Sequence, residues 1–262
     1  MDEAGQLGRR MLGEFLGTAL LVAAVVGSGI AAVRLSPGNV GLELFENATA
    51  TAGALVAIIL AVGPVSGAHL NPVVTIADRW FGGLTTRAAV GYIGAQLAGG
   101  WTGAVIANLM FSRLALELST KTRSGGGLWL AEAVATFGLL LVIFGVVRSG
   151  RSSAAPFAVG AYIGGAYFFT ASTSFANPAV TFARMFSDTF AGIRPSSAPA
   201  FMIAQLVGMV TAVGAVRILY PRVADVAQEV LIPHPQPAPR PDGPMGTTAG
   251  HRHAGLDPLK ER

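Results

Sequence analysis

Two asparagines in this chain are each followed directly by proline: Asn71 in AHLNPVVTIAD (68–78) and Asn177 in SFANPAVTFAR (174–184). An asparagine amide carries two donors beside its acceptor oxygen. Asparagine favours the position just before a helix, and proline the first helical position, where its missing N–H costs nothing. Each pair therefore predicts a helix start whose capping amide has N–H groups left for something else. Little else in the chain suits covalent or metal chemistry. There is no cysteine, which excludes disulfides, thiolate catalysis and Cys-based metal sites. No His/Asp/Ser set falls at one depth by spacing and no nucleotide loop is present, so the chain reads as a non-enzyme without cofactor or metal. His234, His251 and His253 lie in a Pro-rich polar stretch and read as part of a solvated tail.

The elements that must position the two asparagines are apolar. With 52% hydrophobic and 12% charged residues and a positive mean hydropathy, the chain is too oily for one water-soluble core. Its 34 glycines suit close helix packing in lipid. The net charge of +4 forms no basic face in the apolar bulk, so a nucleic-acid partner is not expected. Six apolar segments read as membrane helices: 11–33, 48–62, 88–111, 128–147, 156–173 and 198–220. About 20 residues span the hydrocarbon, so the second and fifth need flanking residues. Glu14 lies early in the first segment and no small-residue cleavage site leads into a soluble domain, which argues against a signal peptide. Residues 1–10 are then a cytoplasmic N-terminus, 11–220 a membrane domain, and 221–262 a tail disordered by composition. With both termini inside, the cytoplasmic side collects Arg9, Arg10, Arg79, Arg87, Arg148, Arg151 and Arg222. The outside holds Arg34, Arg113, Lys121, Arg123 and Arg194, a shallow bias toward cytoplasmic termini and a multi-pass protein of the cell (inner) membrane.

The two halves, 11–111 and 128–220, repeat one another. Asn71 and Asn177 lie 106 positions apart (177 − 71), AQLAG (95–99) returns as AQLVG (204–208), and Glu14 with Thr18 returns as Glu132 with Thr136. Three spans and one Asn-Pro segment per half make an odd number of crossings, so the halves face opposite ways. Inverted repeats place a substrate path at their interface near the midplane. Each Asn-Pro segment is about ten residues, roughly 15 Å of helix or half a bilayer. The preceding GPVSGAHL and FTASTSFA are expected to be non-helical backbone at membrane depth, tolerated only where protein buries it or water wets it. Meeting end to end, the half-helices would set Asn71 beside Asn177 with two positive dipole ends at mid-membrane. The loop carbonyls would form a ladder of acceptors along a narrow hole.

Over residues 10–220 the chain resembles the aquaporin (major intrinsic protein) family, on its paired boxes Asn71–Pro72–Val73 and Asn177–Pro178–Ala179 and on the repeated helix-borne Glu and Gln. The resemblance implies an all-α membrane fold of six transmembrane helices plus two re-entrant half-helices. It also implies a homotetramer with one pore per subunit, passing water or small uncharged solutes. Glu14 and Glu132 match the family's buried glutamates that brace the re-entrant loops; Gln96, Gln205 and His69 fit the same supporting role. Snorkelling and ordinary interhelical bonding are the plainer readings of these residues.

Selectivity is where the chain departs from the family pattern. The family's water and glycerol channels usually carry Arg after the second Asn-Pro-Ala; here that residue is Val180. By the family's spacing the filter's other walls fall at Thr51, Ser174 and Tyr167, with Gly164 or Gly165 as alternatives to Tyr167. Val for Arg resembles a bacterial branch associated with arsenic resistance and proposed to conduct arsenite. Such a filter is wider and less charged, which suits neutral metalloid hydroxides and glycerol-sized polyols. Arg184, seven residues after Asn177, either restores positive potential at the outer mouth or snorkels; its counterpart in the first half is Asp78. Three other readings stay open: a strictly water-selective aquaporin, an ion-coupled secondary transporter, and a membrane-adhesion protein.

Overall fold

The computed structural model describes residues 3–221; the tail expected beyond Pro221, with its three histidines, lies outside the described residues. Eight α-helices account for the fold: α1 (Glu3–Leu35), α2 (Val40–Ser66), α3 (Pro72–Phe81), α4 (Thr86–Met110), α5 (Gly126–Arg148), α6 (Ala155–Phe169), α7 (Pro178–Ala183) and α8 (Ala198–Leu219). No strand occurs among the described residues. By length and composition α1, α2, α5 and α8 are apolar enough to cross a membrane. The 25-residue α4 is long enough, and the 15-residue α6 is extended by the short 3-10 turn Ser152–Ala154 before it.

Pairing follows the repeat. α1 packs on α2 and α4 as α5 packs on α6 and α8, and each half-helix leans on the last helix of the other half, α3 on α8 and α7 on α4. Glycine permits the two tightest crossings. A Cβ at Gly99 would land on the Phe15 carbonyl oxygen, and one at Gly208 on that of Ala133. These positions are equivalent in the two halves, and both crossings bring backbone to backbone as small residues allow in lipid.

Several boundaries differ from the sequence reading. α1 starts at Glu3 rather than Met11, so the described part of the expected N-terminal extension is helical. α2 starts at Val40 because the Asn39 side chain accepts from Leu42 N–H (3.1 Å). Its buried Asn47 survives in the apolar bundle by donating to the Val25 carbonyl (2.9 Å) and Ser28 Oγ (2.8 Å). The same helix runs through Pro64 to Ser66, where a loop was expected from Gly63. Proline there removes one hydrogen bond, and the Ser66 hydroxyl, donating to Glu14 (2.7 Å), pins the last turn. α6 ends at Phe169, short of the apolar segment read to residue 173 but where the FTASTSFA loop was expected to begin. The Thr170 hydroxyl bonds back to the Ala166 carbonyl (2.6 Å), and the chain then enters positive-φ backbone at Thr173.

Candidate functional site

The half-helices start as the Asn-Pro pairs require. The Asn71 side-chain oxygen accepts from Val73 N–H (3.1 Å), and that of Asn177 from Ala179 N–H (2.9 Å) and Val180 N–H (3.2 Å). The amide nitrogens reach across the pseudo-symmetry axis. Asn71 Nδ2 donates to the Ala176 carbonyl and Asn177 Nδ2 to the Leu70 carbonyl, both at 2.8 Å. Each amide has two N–H groups, so one ties the opposite loop and one is left over. Both asparagines line one cavity.

The loops before the boxes are strained in matching places. Ala68 and Leu70 have φ of 48° and 50°, and their counterparts Ser174 and Ala176 have 51° and 48°. L-residues are uncommon there, at about 1–3 kcal/mol each. A buried glutamate over-determines each loop. Glu14 accepts from His69 N–H (2.9 Å) and Leu70 N–H (2.7 Å); Glu132 accepts from Phe175 N–H and Ala176 N–H, both 2.9 Å. Gln96 Nε2 joins Glu14 (2.7 Å) to the Thr75 hydroxyl (2.9 Å), and Gln205 Nε2 joins Glu132 (2.6 Å) to that of Thr181 (2.9 Å). Both threonine hydroxyls donate back to the asparagine carbonyls. The repeated Thr18 and Thr136 take no part: their buried hydroxyls have no hydrogen-bond partner among the described residues.

The cavity of about 60 Å³ is lined by both asparagines and by residues of both halves. Thr51, Tyr167, Ser174 and Val180 line it together. The Thr51 and Tyr167 hydroxyls are 3.2 Å apart, and Ser174 Oγ is buried with no hydrogen-bond partner among the described residues. Gly164 faces Ala52 instead, and neither it nor Gly165 lines the cavity. Arg184 does line it. It is only 2% exposed, which rules out the snorkelling reading. α7 stops at Ala183 and tightens to a 3-10 turn at Arg184–Phe186, so this side chain turns inward. Its Nε donates to the Ala191 carbonyl, and its guanidinium lies 3.4 Å from the centre of the Phe175 ring.

The sequence matches the family described as "Major intrinsic protein" over residues 3–176 and 152–238. It is 49% identical over 211 residues to "Aquaglyceroporin AqpS" of Rhizobium meliloti, covering 80% of this chain and 90% of that one. It is 31% identical over 232 residues to "Probable aquaporin AqpM" of Archaeoglobus fulgidus, covering 79% and 94%. The chain belongs to the major intrinsic protein family. Among solved structures, the aquaglyceroporin from Plasmodium falciparum superimposes with a TM-score of 0.64 at 24% identity, over 83% of this chain and 98% of that one, and shares the fold.

In this major intrinsic protein, residues outside the repeat motifs stand behind the second-half end of the cavity. Arg123, on the segment between α4 and α5, is buried with its guanidinium 5.0 Å from the Phe175 ring centre. Burial lowers its pKa to about 10. Nearby Lys121 is lowered to about 8, by burial first and then by the charges of Arg123 and Arg184. At the first-half end, His69 lines the cavity with Nε2 3.8 Å from Asp78 and Nδ1 3.2 Å from the Thr75 hydroxyl. Neither Arg123 nor Phe175 was visible as a site residue in sequence, because neither belongs to a repeated polar motif.

Proposed function

We propose that this protein is a passive channel for small uncharged solutes: water, glycerol-like polyols and metalloid hydroxides such as arsenous acid. One observation carries the reading. The cavity is lined by the hydroxyl side chains of Thr51, Tyr167 and Ser174 and by Val180, which stands where the family's water and glycerol channels usually carry arginine. Hydroxyls both donate and accept, so they replace part of a polyol's hydration shell without fixing a charge. The names of the relatives, aquaporins and aquaglyceroporins, support a channel for water or glycerol.

At the centre, the spare N–H groups of Asn71 and Asn177 donate to a passing oxygen. A water held this way turns its own hydrogens outward and breaks the donor chain a proton would follow. The positive end of α3 opposes cations at the same depth. Glu14, Glu132, Gln96 and Gln205 hold the loops, and Arg184 adds positive potential beyond Val180. The working unit is a homotetramer in the cell (inner) membrane with both termini cytoplasmic.

Stopped-flow light scattering on proteoliposomes tests this with water, glycerol, urea and arsenous acid on one preparation. Shrinkage followed by recovery in glycerol and in arsenous acid is expected, without proton leak. Water flux with both larger solutes excluded would indicate a strictly water-selective pore. Accumulation coupled to an ion gradient would indicate a transporter, and no flux above empty vesicles an adhesion role. Any of these three refutes the reading.

A further inference from the structure

Arg184 has a neighbour that the channel reading leaves without a role. Arg123 enters from the 111–125 connection, far from either Asn-Pro box in sequence. Its Nε donates to the Gly192 carbonyl (2.9 Å) and its terminal nitrogens to Phe190 (3.2 Å) and Ser172 (3.4 Å). The carbonyl that receives Arg184 Nε belongs to Ala191, between two of these three. Arg123 thus grips the carbonyls on either side of the one Arg184 uses. Both guanidiniums also lie against the Phe175 ring, whose own N–H is clamped by Glu132. No carboxylate is ion-paired with either arginine among the described residues.

Among the described residues no hydrogen bond holds the terminal nitrogens of Arg184, whose guanidinium lines the cavity against the Phe175 ring. Two like charges held against one ring repel, and only the carbonyl cage fixes how far apart they stand. We infer that Arg123 is a positioning residue for selectivity: through residues 190–192 and the Phe175 ring it fixes how far the Arg184 guanidinium projects into the pore. The fixed cation that Val180 does not supply is provided one helical turn further out, and its reach is set by a second arginine. This inference rests on the channel reading above. The consequence concerns solute size first. The cavity is narrow, a water takes about 30 Å³ of liquid volume, and a long side chain in the wall obstructs the larger solute before it obstructs water.

The test compares wild type, Arg184→Ala, Arg123→Ala, Arg123→Lys and the double Arg123→Ala/Arg184→Ala in proteoliposomes. The readout is the glycerol-to-water permeability ratio, which does not depend on how much channel is reconstituted. Arg184→Ala is expected to raise the ratio about fivefold, equivalent to roughly 1 kcal/mol between the two solutes. Arg123→Ala should raise it in the same direction, because the 190–192 segment, left with the Lys121 bond to the Phe190 carbonyl (2.7 Å), is held less tightly and lets Arg184 swing toward the mouth. The double variant should match Arg184→Ala, since Arg123 acts only through Arg184. Arg123→Lys keeps the charge but not the fork across three carbonyls, so it should also show the raised ratio. It decides the question alone if Arg123→Ala does not fold. A wild-type ratio in the Arg123 variants overturns the inference, and so does a double variant whose ratio is the product of the singles. Failure of the channel reading looks different, as wild-type vesicles would then pass no glycerol.

Discussion

Replacing Glu132 removes the carboxyl that holds the second-half loop in its strained shape. Its two oxygens accept three hydrogen bonds: from Phe175 N–H, Ala176 N–H and Gln205 Nε2. Gln205 keeps the Thr181 hydroxyl as a partner at 2.9 Å, so it is not orphaned by Glu132→Ala. The two backbone N–H groups are. Each buried unsatisfied donor costs about 1–3 kcal/mol, which gives about 2–6 kcal/mol for the pair. Water entering from the pore offsets part of that, so about 2–4 kcal/mol is expected. For a domain of this size that lowers Tm by roughly 5–15 °C. Glu132→Gln is a graded control. Each carboxyl oxygen meets a backbone N–H, so the new amide NH2 must oppose one of them, and about half the loss is expected. Function should fail faster than stability. With the clamp gone, Thr173, Ser174 and Ala176 leave φ of 64°, 51° and 48°, and the carbonyl line along the pore goes with them. The assay pairs a thermal scan of detergent-purified protein with water flux per folded channel. Glu132→Ala with unchanged Tm and wild-type flux would refute the clamp. So would a Glu132→Gln as stable and active as wild type, which would make side-chain volume rather than acceptor capacity the requirement.

Two further outcomes follow from the same geometry. Val180→Arg puts a second cation one turn from Arg184 in a narrow cavity and should lower the glycerol-to-water ratio by about tenfold, or roughly 1.4 kcal/mol; an unchanged ratio would show that Val180 does not set the width. Gly103→Leu would drive a Cβ onto the Ala19 carbonyl where α4 crosses α1, whereas a Cβ at Gly94 has nothing within 4 Å. Overpacking of this kind costs about 1–3 kcal/mol or more, so Gly103→Leu should lower Tm clearly and Gly94→Leu should not, as a thermal scan of both will show.

What was legible in the sequence is what the repeat wrote twice. Asn71 and Asn177, Glu14 and Glu132, and Gln96 and Gln205 recur in order, and the structure brings all six to the two loops with equivalent bonds. Thr18 and Thr136 recur just as faithfully, yet their hydroxyls have no partner among the described residues, so repetition alone does not assign a role. The helix ends were less legible. Pro64 reads as loop from its type but lies inside a helix pinned by Ser66–Glu14, whereas the loop expected from residue 169 does begin where Thr170 bonds back to end α6. Arg123 was invisible as a site residue because it stands outside the repeat and its partners are backbone carbonyls, which carry no sequence. Arg184 stood on the right helical face by spacing. Its depth depended on α7 tightening after six residues, which nothing in the motif announces.

The pseudo-symmetry also explains why the two ends of the cavity differ. In each half the residue two before the asparagine carries a ring, and the residue seven after it carries a charge-bearing group: His69 with Asp78, and Phe175 with Arg184. Each ring meets a second aromatic edge-on from the last helix of its own half, His69 on Tyr92 at 5.4 Å and Phe175 on Phe201 at 5.2 Å. A further arginine stands by each assembly, Arg10 bonding the Tyr92 hydroxyl (2.7 Å) and Arg123 beside Phe175. The frame is thus the same twice, and the chemistry mounted on it is opposite: a carboxyl behind an imidazole at one end, a guanidinium against a phenyl ring at the other. On the channel reading proposed above, a neutral polyol, which both donates and accepts, would find a partner at each end. A cation would meet the Arg184 charge at the second-half end, where the first half lines the cavity with His69 instead. Rejection of cations would then come from a repeat whose two copies have diverged at two pairs of positions, His69 with Phe175 and Asp78 with Arg184.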